Sequence, residues 1–249
     1  MLKKERQAYI LHQVNLHNKV LSSSLSTDIN VSEDTIRRDL MELASEGKVI
    51  KVHGGALSSS FSKVDYPTNE VYSLNQKKRI AQKAISLIGN GMFVLTSGGT
   101  TILEMARMLP HQLKATFISG SIAAILEYIN HPNIEVIIIG DKISKSSKIT
   151  VGSEAIAKIR QMKPDLCFLG TNAIDLKHGI TDGDWEVVQL KRAMIESSQR
   201  VIGLSIAEKL NTIQPIHICE ATKIDTLITE LSADDPLLKP YADAGIKIL

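Results

Sequence analysis

Residues 31–56 read VSEDTIRRDLMELASEGKVIKVHGGA. Ser32 is a good N-cap, and Glu33 and Asp34 follow it where the helix dipole favours acids. Ile36, Leu40 and Leu43 then repeat at helical spacing, and Gly47 stands where a helix commonly ends. Beyond it the chain alternates from Lys48 to His53 and meets a Gly54-Gly55 turn, which predicts a small strand pair. Upstream, Lys3 to about His17 can form a helix with Ile10, Leu11 and Val14 on one face. The stretch VLSSSLSTDI predicts a short extended piece and a second helix, closed by a turn at Asn30-Val31. Three helices followed by a wing are the parts of a winged helix-turn-helix, whose third helix enters the major groove of DNA.

In that arrangement Thr35, Arg37 and Arg38 face the base edges, where arginine can bond guanine bidentately or clamp a phosphate. The expected contact set is Ser32, Thr35, Arg37 and Arg38 on the helix, with Lys51, His53 and Gly54 on the wing. A plainer reading is also open. Arg37 and Arg38, with Glu33 and Asp34 upstream, fit a solvated helix face carrying weak i,i+4 pairs. Charge does not decide between them, because eight bases face seven acids over residues 1–57.

The whole chain has 249 residues, enough for two domains, and is 43% hydrophobic and 22% charged, as globular proteins are. Its net charge of +2 is too small to announce a nucleic-acid partner. Cys167 and Cys219 lie in apolar runs and read as buried, reduced thiols; nothing supports a disulfide. The start carries no apolar signal core and no run has the length of a membrane span, so a cytoplasmic protein without a membrane partner is expected.

Residues 58–70 are polar and serine-rich and read as a linker between a DNA-binding domain at 1–57 and a second domain at 71–249. In the second domain, short apolar strands (MFVL, TFIS, VIIIG, LCFLG, VIGLS and TLIT) alternate with helical segments. That alternation implies a parallel α/β sheet with right-handed crossovers. The run LTSGGTT, residues 95–101, joins one of these strands to a helix. A small, hydroxyl-rich turn there can hold a phosphate on free helix N–H groups, or can be an ordinary capped turn.

The segment from Val31 to Leu40 and the run His53–Ala56 strongly resemble the DNA-binding signature of the DeoR family of bacterial transcriptional regulators. That family shares a V-S-x-x-T-I-R-R-D-L helix and a wing ending H-G-G-A. The resemblance extends over the rest of the chain, since the family appends a sugar-phosphate-sensing domain related to phosphosugar isomerases. It implies an α/β protein in two parts, a winged helix-turn-helix and a phosphosugar-isomerase-like domain that senses effector and mediates oligomerisation. It implies a regulator, usually a repressor, of a carbohydrate-metabolism operon, with double-stranded operator DNA, a phosphorylated effector and a second copy of the chain as partners. Asp39 then supports the arginines or a neighbouring helix, since a carboxylate facing phosphate is repelled.

The family's phosphate turn typically reads D-S-G-T-T-T, which here becomes Thr96, Ser97, Gly98, Gly99, Thr100 and Thr101. The resemblance assigns the rest of the pocket to other strand ends. Ser119, Gly120 and Ser121 stand where T-N-S is common, and Asp141 in a Gly-pair position. Gly152 opens a helix, Gly170 follows LCFL, and Lys209 matches the lysine of a D-S-S-K-like segment. Thr96, Gly120 and Ile206 depart from the family's Asp, Asn and Asp. The phosphate part is therefore expected to be kept and the sugar-reading part altered.

The alternative, a phosphosugar isomerase that acquired a DNA-binding domain, needs a proton-abstracting base. The related isomerases carry a D-G-A-D-E loop where this chain has Leu169–Ala173, with Asn172 and Ala173 in place of carboxylates. The lysine and glycine run that follows in them is here Thr181–Asp184. No catalytic residue is expected. No P-loop or dinucleotide fingerprint occurs, and the seven histidines show no metal-ligand spacing, so no cofactor and no metal are expected.

Overall fold

The computed structural model describes residues 1–61, 71–140 and 142–249. The chain divides into two compact units, Met1–Tyr72 and Ser73–Leu249.

The first unit opens with α1 (Lys3–His17), β1 (Lys19–Leu21), α2 (Ser22–Ile29) and α3 (Glu33–Ser45), then β2 (Val49–Val52) and β3 (Gly55–Ser58). The Ser32 hydroxyl accepts from the Thr35 N–H at 3.3 Å and caps α3 as its sequence predicts. Ile10, Val14, Leu25, Ile36, Leu40 and Leu43 form the core with Val49 and Ala56. The wing is not a strand pair alone. The short piece Lys19–Leu21 joins it as a third antiparallel strand, in the order β1-β3-β2. Gly55 permits this, since a Cβ there would stand 1.9 Å from the Val20 carbonyl oxygen. Ser58 ends β3 and Ser59–Phe61 form a 3-10 turn; residues 62–70, the remainder of the expected linker, lie outside the described residues.

Asp39 shows which of its two expected roles it takes. It is 2% exposed and accepts from Arg6 Nε at 2.5 Å and Arg6 Nη2 at 3.3 Å. Gln7 Nε2 reaches Asp39 at 3.4 Å and Glu42 at 2.7 Å. The carboxylate thus clamps α3 to α1 and leaves Arg37 and Arg38 to other partners.

The second unit begins with α4 (Leu74–Ile85), β4 (Phe93–Thr96), α5 (Thr100–Arg107), β5 (Ala115–Ser119), α6 (Ile122–Ile129) and β6 (Ile134–Ile138). The hairpin of β7 (Lys142–Ser144) and β8 (Ile149–Val151) follows, then α7 (Ser153–Arg160) and β9 (Leu166–Gly170). After β10 (Ala173–Asp175) and β11 (Gly179–Asp182) come α8 (Trp185–Ser197), β12 (Val201–Leu204), β13 (Ile216–Cys219) and β14 (Thr226–Ile228). The chain closes with α9 (Lys239–Asp243) and β15 (Lys247–Ile248).

Each of the six apolar runs enters one parallel sheet, ordered β15-β14-β12-β9-β4-β5-β6, and β15 adds a seventh strand. Cys167, Phe168 and Leu169 on β9, with Val94 and Leu95 on β4, are buried, as strands covered on both faces must be. The alternation did not announce two antiparallel additions, the β7–β8 hairpin and the sheet β10-β11-β13. Cys167 is buried, Cys219 half-buried, and both are free thiols.

Removing one partner of a buried ion pair leaves the other's charge unmatched. Asp39→Asn is therefore expected to lower stability by about 2–4 kcal/mol in urea unfolding. Arg6→Met combined with Asp39→Leu should lose distinctly less. Equal losses in the two proteins would contradict the clamp.

Candidate functional site

On α3, Arg37 and Arg38 are 61% and 73% exposed. They pair with Glu33 at 3.6 Å and Asp34 at 2.7 Å, each one helical turn upstream. Exposed pairs of this kind contribute about 0–1 kcal/mol. Both guanidiniums can exchange a carboxylate for a phosphate or a base edge at little cost, so the pairs do not argue against a nucleic-acid surface. Ser32 and Thr35 hydroxyls lie 2.9 Å apart at the start of the same helix. Lys51, His53 and Gly54 are exposed on the wing, and Gly54 turns with φ 75°, the left-handed region that favours glycine.

In the second unit the carboxyl ends of β4, β5 and β9 meet. The Ser97 N–H donates to the Phe168 carbonyl at 3.0 Å, and the Gly170 N–H donates to the Ser97 hydroxyl at 2.9 Å. Gly99 caps α5 at φ 112°. The first bond within α5 runs from Leu103 N–H to Gly99 at 3.1 Å. The N–H groups of Thr100, Thr101 and Ile102 therefore have no acceptor within the helix and carry its positive dipole end. The backbone packs closely here. A Cβ on Gly98 would stand 2.5 Å from Ile149 Cγ2, and one on Gly120 would stand 2.2 Å from Thr150 Oγ1.

Three buried lysines gather beside this loop. Lys191, on α8, donates to the Gly170 carbonyl at 2.9 Å and to Asp182 Oδ2 at 2.8 Å. Lys209 donates to the next carbonyl, Thr171, at 3.2 Å. Lys77, on α4, is 4% exposed. Burial pushes the Lys209 ammonium down to about 7, and the charges of Lys77 and Lys191 push the same way against Asp182. Burial likewise takes Lys77 to about 8, opposed by Glu104 and Glu208. Burial alone would raise Asp182, but Lys191, the Gly183 N–H and the Asn172 amide hold it below the usual carboxylate range. The arrangement favours an anion: free N–H groups on one side and crowded ammoniums on the other.

The sequence had singled out only Lys209 of these three. A signal for the others existed. Lys77 occupies the buried stripe of α4 with Ile80, Ala81 and Ala84, and Lys191 that of α8 with Val187, Val188 and Met194. A lysine on the apolar face of an amphipathic helix has to be accounted for inside the fold.

Other expected residues fall differently. Ser119 is fully buried. Its hydroxyl accepts from Thr96 Oγ1 at 3.0 Å and from the Ser121 N–H at 3.2 Å. The Tyr128 hydroxyl also donates to Thr96 Oγ1, at 3.3 Å. Thr96 and Ser119 thus form a hydroxyl lock between β4 and β5, and Ser119 does not present its hydroxyl to a ligand. Ser121 caps α6, its hydroxyl accepting from Ala124 N–H at 3.5 Å. Gly152 begins α7 with φ 110°, directly after β8. Ile206 is an apolar core residue at 2% exposure. Asp141 lies outside the described residues. Trp185 is 61% exposed and Glu186 pairs with Lys142.

Among the described residues no three His, Cys, Asp or Glu side chains gather as a metal site, and no helix is long and apolar enough to cross a membrane. A winged helix-turn-helix with exposed arginines on its third helix, in one chain with an α/β unit, defines a helix-turn-helix transcriptional regulator that carries a sensor. Residues 6–61 match the DeoR-like helix-turn-helix domain, and residues 73–231 match the DeoR C terminal sensor domain. The chain belongs to the DeoR family.

Among its relatives is the HTH-type transcriptional regulator GolR of Listeria innocua, 30% identical over 98% of this chain and 97% of that one. The HTH-type transcriptional repressor GlcR of Bacillus subtilis is 31% identical over 100% of this chain and 96% of that one. Solved structures resemble it more distantly. Ribose 5-phosphate isomerase A of Methanocaldococcus jannaschii gives a TM-score of 0.42 at 16% identity, over 56% of this chain and 55% of that one.

Lys209 makes a pH signature. Its ordinary value is 10.5 and its folded value about 7, so between these the folded state binds fewer protons than the unfolded state. Stability therefore rises with pH across that window, and the full penalty applies below it. Lys209→Met is expected to raise the melting temperature by at least about 2 °C at pH 6.5. The gain should shrink by pH 9. A lower melting temperature at pH 6.5 would show that the ammonium is stabilising in the absence of ligand.

Proposed function

We propose that this protein represses a carbohydrate-metabolism operon from the cytoplasm. It reads double-stranded operator DNA with α3 and the wing of residues 1–57. A phosphorylated small molecule bound within residues 71–249 shifts its affinity for that DNA. That domain also joins copies of the chain, so that paired winged helices meet spaced half-sites.

The observation that carries the effector assignment is the pair Lys191 and Lys209 on the carbonyls of Gly170 and Thr171, with the charge of buried Lys77 acting on Lys209, beside the N-terminus of α5. A phosphate dianion there meets free N–H groups and relieves the repulsion among the ammoniums. Lys209 takes up a proton as it does so. The isomerase alternative is disfavoured by the state of Asp182, a buried carboxylate beside the lysines. It is committed to Lys191 at 2.8 Å and to Asn172 at 3.3 Å and holds protons weakly. The names of relatives point the same way: a putative aga operon transcriptional repressor of Escherichia coli is 26% identical over 98% of this chain and 93% of that one.

Gel-shift titration with the DNA upstream of the protein's own operon tests the reading. Affinity is expected to fall steeply as salt rises. Arg37→Ala and Arg38→Ala should each weaken specific binding by about 1–3 kcal/mol if the arginine contacts a base. Thermal stability should hardly change, since both side chains are exposed. Unaltered DNA binding in the double variant would remove α3 as the reading helix. Turnover of a phosphosugar by the purified chain would favour the isomerase.

A further inference from the structure

Among the described residues, Thr150 Oγ1 and Ser147 Oγ are buried oxygens without a hydrogen-bond partner, and both belong to the segment that forms the β7–β8 hairpin. Thr150 is 4% exposed. Its N–H donates to the Gly120 carbonyl at 2.9 Å, while Ile149 beside it bridges to Ser121 and packs on Gly98. β8 therefore lies across both loops that flank the anion site. The Thr150 hydroxyl stands in the space a side chain at position 120 would enter, 2.2 Å from where its Cβ would be.

The other hydroxyls around it are committed. Thr96 and Ser119 bond each other, Ser97 accepts from Gly170, and Ser121 accepts from Ala124. A buried hydroxyl left without a partner is destabilising by about 1–3 kcal/mol, and such exceptions in native folds call for an explanation. A buried hydroxyl on the strand that lies across an anion site, as Thr150 is, is explained by a ligand oxygen.

We propose that Thr150 is a specificity-determining residue of the effector site, its hydroxyl hydrogen-bonding a hydroxyl or carbonyl oxygen on the carbon skeleton next to the phosphate. This rests on the anion-site reading above and names what the site recognises besides charge: a phosphorylated polyol or hydroxy-carbonyl compound.

The test is isothermal titration of the full chain with inorganic phosphate, ribose 5-phosphate, fructose 6-phosphate and glucose 6-phosphate, using wild type, Thr150→Val and Thr150→Ser. Wild type should bind at least one sugar phosphate more tightly than phosphate. Thr150→Val should bind phosphate as wild type does and lose about fivefold in affinity for that ester, the scale of one neutral hydrogen bond. Thr150→Ser should keep it. Should Thr150→Val not fold, Thr150→Ala takes its place with the same expectation. The inference is overturned if no ester exceeds phosphate, if the valine variant binds the ester normally, or if it loses phosphate as well. If wild type binds neither phosphate nor any ester, the anion-site reading itself fails, and this inference with it.

Discussion

Burying ammonium groups is costly unless an opposite charge meets them, and the second unit buries three at one end of its parallel sheet. Asp182 answers one of them directly, and Glu104 and Glu208 partly offset Lys77. Lys209, placed between two other cations, is left to lose its proton near neutrality. Much of the surrounding architecture follows from that constraint. The carbonyls of Gly170 and Thr171 turn toward the lysines, Ser97 ties its loop to the same strand end, and α5 points its N-terminus into the loop. A fold arranged in this way suits an anion at that end of the sheet.

The departures from the family pattern acquire physical meaning in the same frame. A threonine at position 96 is locked to Ser119 and Tyr128, where an aspartate would set a charge inside a buried hydroxyl cluster. Gly120 has no side chain because Thr150 stands against it. Ile206 joins the core. These positions are not simply lost contacts. They are repacked, and at one of them the Thr150 hydroxyl takes the space a side chain would fill.

In the first unit the division of labour within R-R-D is set by burial. Asp39 turns inward to Arg6, and the two arginines stay outside with neighbours that bind them weakly. A rigid inner clamp and an outer face with replaceable partners suit a helix that must keep its shape while exchanging water and carboxylates for a nucleic-acid surface.

Much of this protein is determined by the sequence alone, through local physics. The cap and periodicity of α3, the strand–helix alternation and the glycine turn after β4 each depend on residues close in the chain, so spacing reveals them. Local patterning is silent on contacts between distant segments. Lys77 and Lys191 stand on the apolar stripes of α4 and α8, which marks them as buried, but only tertiary packing sets their charges beside Lys209. β1 becomes a wing strand only because Gly55 lets it approach. Ser119 has the right residue type and stands at the right strand end, yet its hydroxyl is used by Thr96, 23 residues away. Spacing along the chain identifies which elements form and where a site opens; which side chains face it, and which are already spoken for, is decided by packing between segments that the sequence keeps far apart.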